Sequence, residues 1–275
     1  ALLGETGDDV EALALLGEAL LAESRHGEAV DVLERRAELA RSEAERAALL
    51  LDVARLQAGP IGDVPAALSA YEQVFALLPA SNGALVDVAA IAATEAHHDA
   101  AAALVIPRLE AAARWTELAV VRTHRVEFAH DPAEKAEALR ALARLRLERL
   151  EDPHGALAAT VAQLDVVDDD ALPEVLEHGG RLAVQLGAGS EHVDMLQAKA
   201  AEAGRSASVV AAMSIYAAQL CEEILGEAAR ALTLLMPLVE QGAASSAVCA
   251  RTERLARKVG DGEADRKSTR LNSSH

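Results

Sequence analysis

The stretch WTELAVVRTHRVEFAHDPAEKAEALRALARLRLERLEDPHGALAATVAQLDVVD, residues 115–168, decides how this chain is read. Moved back by 89 positions without a gap, it lies on residues 26–79, HGEAVDVLERRAELARSEAERAALLLDVARLQAGPIGDVPAALSAYEQVFALLP, with 16 of 54 residues identical. Six of those identities are alanines in an alanine-rich chain. Composition alone does not supply others such as Glu28/Glu117, Arg36/Arg125, Glu38/Glu127, the Arg-Leu of the Ala-Arg-Leu triplets at 54–56 and 143–145, and Asp63/Asp152. A looser third copy covers roughly 190–239 at a further offset of 75, matching Leu145/Leu220, Glu148/Glu223 and the Ala-Leu pairs at 156–157 and 231–232. The step from 89 to 75 loses 14 residues, the length of one helix, so the register of the array is expected to change there. Self-similarity at fixed offsets marks a repeat architecture in which stacked units share a continuous core.

Composition narrows the element type to helix. Half the residues are hydrophobic (51%), but alanine and leucine supply most of them and aromatics are only 2%, where a sandwich or barrel would want many more β-branched and aromatic side chains. Residues 10–23 carry Leu13, Leu16, Gly17, Leu20 and Leu21 at helical spacing, and a second helix after His26-Gly27 places Val30, Leu33, Ala37 and Ala40 on one side. Further helices are expected at 43–58 and 64–78 across GPIGD, at 83–96 and 99–113 across His97-His98, and at 115–129, 132–150 and 153–167. The last are expected at 172–186, in the third copy, and at 245–258. Asp131-Pro132 and Asp152-Pro153 each read as a capping residue followed by proline at the first helical position, and Asp63 as a cap. Pro107 is expected to kink or shorten its helix.

Within this pattern, Leu16, Gly17, Leu20, Ala29 and Leu33, and again Ala67, Tyr71 and Pro79, resemble the tetratricopeptide (TPR) motif. There, small residues let two helices approach and large ones fill the gap. The resemblance covers about 10–170 well and 171–258 weakly, and is nearest to the TPR-like arrays of large bacterial proteins. It implies an all-α fold, a right-handed α-α superhelix of antiparallel hairpins whose groove binds protein. The departures are an irregular repeat length, no tryptophan at the usual helix-A position, and Gln163 and Asp168 where a small residue and proline belong. The residues with which that family clamps a peptide carboxylate are not present.

The domain reading is one array over 1–258, a linker at 259–264, and a tail at 265–275, DRKSTRLNSSH, that matches the in-frame translation of a common sequencing adapter. Without that tail 23 basic residues face 43 acidic ones, a net charge of −20 instead of −18. Arginine outnumbers lysine 22 to 4, as expected of a GC-rich bacterial genome, and the chain reads as a fragment cut from a longer protein. The array's open ends then predict self-association. The absence of a leader favours the cytoplasm.

Function classes follow from charge and motif. The acidic balance argues against nucleic acid. The longest apolar run, 100–106, falls far short of the ~20 residues of a membrane span. Cys221 and Cys249 lack metal-knuckle spacing and read as buried thiols. His97-His98-Asp99 cannot gather ligands on one helix face, and Asp165, Asp168, Asp169 and Asp170 lack the glycine and glutamate of a calcium loop. Gly187-Ala188-Gly189 reads as a helix C-cap. No nucleophile–base arrangement, phosphate loop or cofactor motif occurs, so no enzyme activity and no cofactor are expected. The expected role is a non-catalytic protein-interaction scaffold. The alternative is the regulatory or sensor arm of a larger signalling protein, such as a kinase or an ATPase regulator. The candidate partner-binding residues are Arg140 and Arg144, one turn apart, with Arg55 the repeat equivalent of Arg144. The opposing reading pairs Arg144 with Glu148 on the helix surface. Trp115 is expected to seal a helix–helix contact.

Overall fold

The computed structural model describes residues 9–202 and 204–260; the 265–275 tail and all but the first two residues of the 259–264 linker lie outside them. Every regular element among the described residues is helical, as the composition requires. These residues fall into two compact units, one ending at Ala129 and one beginning at His130. The boundary passes through the 115–168 block.

The first unit holds α1 (Val10–Ala22), α2 (His26–Glu38), α3 (Glu43–Leu56), α4 (Val64–Leu77), α5 (Asn82–Ile91), α6 (His98–Ala111) and α7 (Trp115–Phe128). Successive helices pack as hairpins, with Ala29, Val53, Ala67, Tyr71, Val88 and Leu118 among the residues sealed between them. The second unit holds α8 (Pro132–Arg149), α9 (Pro153–Ala162), α10 (Leu172–Gln185), α11 (Gly189–Ala200), α12 (Ala207–Leu220), α13 (Ala228–Glu240) and α14 (Ser246–Val259). Its core gathers Leu196, Met213, Leu235 and Leu255 with both cysteines, which are free and buried. Burial pushes both thiols above the ordinary value. The 19-residue stretch Ala207–Leu225 is long and apolar enough to cross a bilayer by length and composition. One side of it, Met213, Ala217, Ala218 and Cys221, is core, and Glu222 near its end pairs with Arg251 and Arg254.

The repeat identities become structural equivalences. Ala54 and Ala143, Ala67 and Ala156, and Ala70 and Ala159 are all buried, where a larger side chain would force the helices apart. Asp63 accepts the Ala66 amide and Asp152 the Gly155 amide, each capping its helix. Ser42, Asp131 and Ser206, spaced by 89 and 75, cap α3, α8 and α12 in the same way. Arg25 and Arg114, at the N-caps of α2 and α7, bind Glu28 and Glu117; Arg35 and His124 bind Glu38 and Glu127. The left-handed residue before the third helix of each copy is Gly62 (φ 79°), Glu151 (φ 51°) and Gly226 (φ 73°). Five helices, α2 to α6, fill the 89-residue step and four, α7 to α10, the 75-residue step; the missing length is one helix.

Helix ends depart from expectation. The helix expected to stop at residue 58 runs on as a π turn, Gln57–Ile61, that carries Pro60 and closes at Gly62, and the third copy repeats this at Cys221–Leu225. The helix expected over 83–96 is Asn82–Ile91, because Thr94 Oγ1 folds back on the Ile91 carbonyl. A 3-10 turn then leads to His98, whose ring is buried, bonds the Ala92 carbonyl through Nδ1 (2.6 Å) and meets Phe128 edge-on. The helix expected to reach residue 167 tightens into a 3-10 turn at Gln163–Asp165. α6 is not shortened at Pro107. Trp115 opens α7 half-buried.

Candidate functional site

α8, the end of α9 and α10 frame a cleft of about 430 Å³ in the second unit. α8 turns Leu139, Leu142 and Ala143 into the fold, which leaves Arg140 and Arg144 on the outer side, one turn apart, at the cleft wall. α10 buries Leu172, Leu176, Gly179, Gly180 and Ala183 and sends Glu174, His178 and Arg181 the other way. The 3-10 turn after α9 brings in Gln163, whose amide makes no side-chain hydrogen bond among the described residues although the residue is only 4% exposed. Thr160, beside it, donates its hydroxyl to the Ala156 carbonyl.

No hydrogen bond or ion pair holds Arg140, Arg144 or Arg181 within the described chain. On the same helix Arg146 donates to the Gly155 carbonyl and stands 4.0 Å from Asp152. Several other guanidiniums are clamped between neighbouring elements: Arg122 to Glu110, Arg205 to Asp165, Arg230 to Asp194, Arg251 to Glu222. Glu148 and Glu174 share the cleft with the three arginines, but no ion pair joins Arg144 to Glu148, the contact that the opposing sequence reading supplied. Three guanidiniums against two carboxylates leave the cleft basic on a strongly acidic protein.

The third sequence candidate is placed differently. Arg55 donates to Asp87 across α3 and α5 at 2.8 Å, and that carboxylate holds its guanidinium above the ordinary value. The position 89 residues after Asp87 is Leu176, which is buried, so the second copy has no acid in the equivalent place and Arg144 stays unpaired. Arg181 and the unpartnered amide of Gln163 were not among the sequence candidates. Arg181 lies beyond the 115–168 block; its signal is the three-residue spacing from His178 on a helix with a strongly apolar opposite face.

A second cleft, about 390 Å³, opens on the other side of α10, and Arg181 lines both. Its wall at the end of α12 and the following π turn uses Gln219, Leu220, Glu223 and Ile224, and Gln219 and Glu223 are the repeat equivalents of Arg144 and Glu148. Here the acid is occupied: Glu223 accepts from Gln219 and Arg251. Val184 and Ile224 are 41% and 55% exposed, and Tyr216 sits so close to α10 that a Cβ on Gly180 would collide with its hydroxyl. Burial pushes that hydroxyl above its ordinary value, so it stays protonated at neutral pH.

Among the described residues no three His, Cys, Asp or Glu side chains gather as metal ligands. Asp165 is taken by Lys199 and Arg205, and Asp168 caps the Ala171 amide. Gly187 ends α10 in a left-handed turn closed by the Ala188 amide on the Ala183 carbonyl. No family model matches the sequence, and no curated protein matches it. Among solved structures it is similar to a tetratricopeptide repeat protein from Parabacteroides merdae, at 13% identity over 96% of this chain and 92% of that one, with a TM-score of 0.28.

Proposed function

We propose that this chain is a non-catalytic protein-interaction array whose second unit binds an acidic segment of another protein at the cleft of Arg140, Arg144 and Arg181. The observation that carries the reading is that three arginines line one cleft without an internal partner, in a chain that pairs several of its other arginines across helices. Guanidinium groups hold carboxylates through paired, charge-assisted hydrogen bonds, and a wall of packed helices keeps them in place before the ligand arrives. Arg55 lies in the first unit, where its Nε is bonded to Asp87, and is not a lining residue of this cleft.

Display selection of random twelve-residue peptides on the intact chain tests the proposal, with the Arg140→Glu/Arg144→Glu/Arg181→Glu protein as counter-target. The expected result is enrichment of Asp- and Glu-rich sequences that lose at least tenfold in affinity on the triple variant and weaken with salt, as exposed charge contacts do. No enrichment, or peptides that bind both proteins equally, would overturn it.

A further inference from the structure

The two clefts flanking α10 are not independent features. They use the same face of repeat-equivalent helices, α8 and α12, and they share Arg181. What differs is their chemistry. On the α8 side, the wall offers Arg140 and Arg144 with the unpartnered amide of Gln163 buried behind them. On the α12 side, the equivalent of Arg144 is Gln219, bonded to Glu223, which is itself tied to Arg251. The Gln219–Glu223 pair is thus occupied, and the apolar surface left for a ligand is the exposed part of Val184 and Ile224 with the Tyr216 ring.

We infer that the occupant of this face is one protein segment with an acidic block joined to a pair of large apolar side chains. Its carboxylates lie against Arg140, Arg144 and Arg181, and its apolar residues fill the cleft of Val184, Ile224 and Tyr216. This rests on the acidic-segment reading above and adds the second half of the recognition. Charge complementarity sets the first half: a protein of net charge −18 repels acidic chains generally, so a basic cleft selects the few able to place carboxylates on it. The second half discriminates among those acidic chains, because burying two large apolar side chains rewards only sequences that have them. Arg181, at the junction, lines both clefts, and its side chain combines a charged head with an aliphatic stem.

Fluorescence anisotropy with three synthetic probes tests this on the intact chain: a tetraglutamate peptide, a peptide with a Leu-Leu pair among neutral polar residues, and a panel joining both blocks in either order through spacers of zero to six residues. The expected result is that the best joined probe binds about tenfold or more tighter than tetraglutamate alone. That gain should vanish in Val184→Glu/Ile224→Glu, two exposed positions, while tetraglutamate binding stays within about twofold. In Arg140→Gln/Arg144→Gln/Arg181→Gln both acidic probes should lose binding, with helicity by circular dichroism unchanged in each variant. If tetraglutamate binds and no joined probe binds tighter, or if the gain survives Val184→Glu/Ile224→Glu, the two-part segment is wrong and the acidic reading stands. If neither acidic probe binds, or if a thymidine oligonucleotide binds better than both, both readings fall.

Discussion

A single buried imidazole makes the second unit sensitive to mild acid. His192 is 1% exposed, neither ring nitrogen has a partner, and its Cε1 lies 2.9 Å from where a Cβ on Gly179 would stand. Burial alone pushes its pKa down to about 4 from an ordinary 6.5. Between those values the unfolded chain takes up a proton that the folded chain refuses. The stability associated with the neutral ring is therefore complete above pH 6.5 and lost as pH falls toward 4, on the order of 3 kcal/mol across the window. Glu202 and Glu222, held below the ordinary carboxylate range, also lose stability on acidification, but only as pH drops below 4.5 through their own lowered values. Thermal melts at pH 7 and pH 4.5 should show a fall in midpoint that is smaller in His192→Leu by about 5–10 °C. Equal falls in the two proteins would mean that the ring is not the titrating group.

At the scale of elements, the turn before the third helix of each copy is the informative place. Gly62 and Gly226 adopt left-handed backbone freely, while Glu151 adopts it against the crowding of its Cβ, a cost of about 1 kcal/mol. Glu151→Gly should raise the urea midpoint by the equivalent of about 0.5–1 kcal/mol, and Glu151→Ala, which keeps the Cβ, should not; equal gains from both would remove strain as the cause. This turn also shows how far the sequence could be read. Helix starts were legible, because Asp63, Asp131-Pro132 and Asp152-Pro153 carry capping chemistry in the residues themselves. Helix ends were not: whether Gly59-Pro60 stops α3 or passes through a π turn depends on packing against the next helix. The candidate site divides in the same way. Arg140 and Arg144 could be placed on an outer helix face by periodicity, but that Arg55 would be spent on Asp87 depends on α5 lying against α3, and Arg181 enters only because α10 packs beside α9. Lone residue spacing contains neither fact.

For the whole molecule, the division at Ala129 and His130 gives each unit its own buried core. Stability in a helical array is a sum over local stacks, so damage to one core need not melt the other. The chain offers a direct way to see this, since its single tryptophan, Trp115, lies in the first unit while the helices that generate the far-ultraviolet signal belong to both. Met213 is fully buried at the centre of the second unit's core, and Met213→Ala removes side-chain volume that α11 and α13 cannot recover without moving, at a cost of about 2–5 kcal/mol. Urea titration of this variant should therefore show circular dichroism falling in two steps, the first at lower urea than in the parent protein, while Trp115 fluorescence follows only the later step at the parent's midpoint. If fluorescence and circular dichroism instead shift together to the lower midpoint, the two cores unfold as one cooperative body. The His192 effect would then be read by Trp115 as well, because acidification of the second unit would melt the first with it.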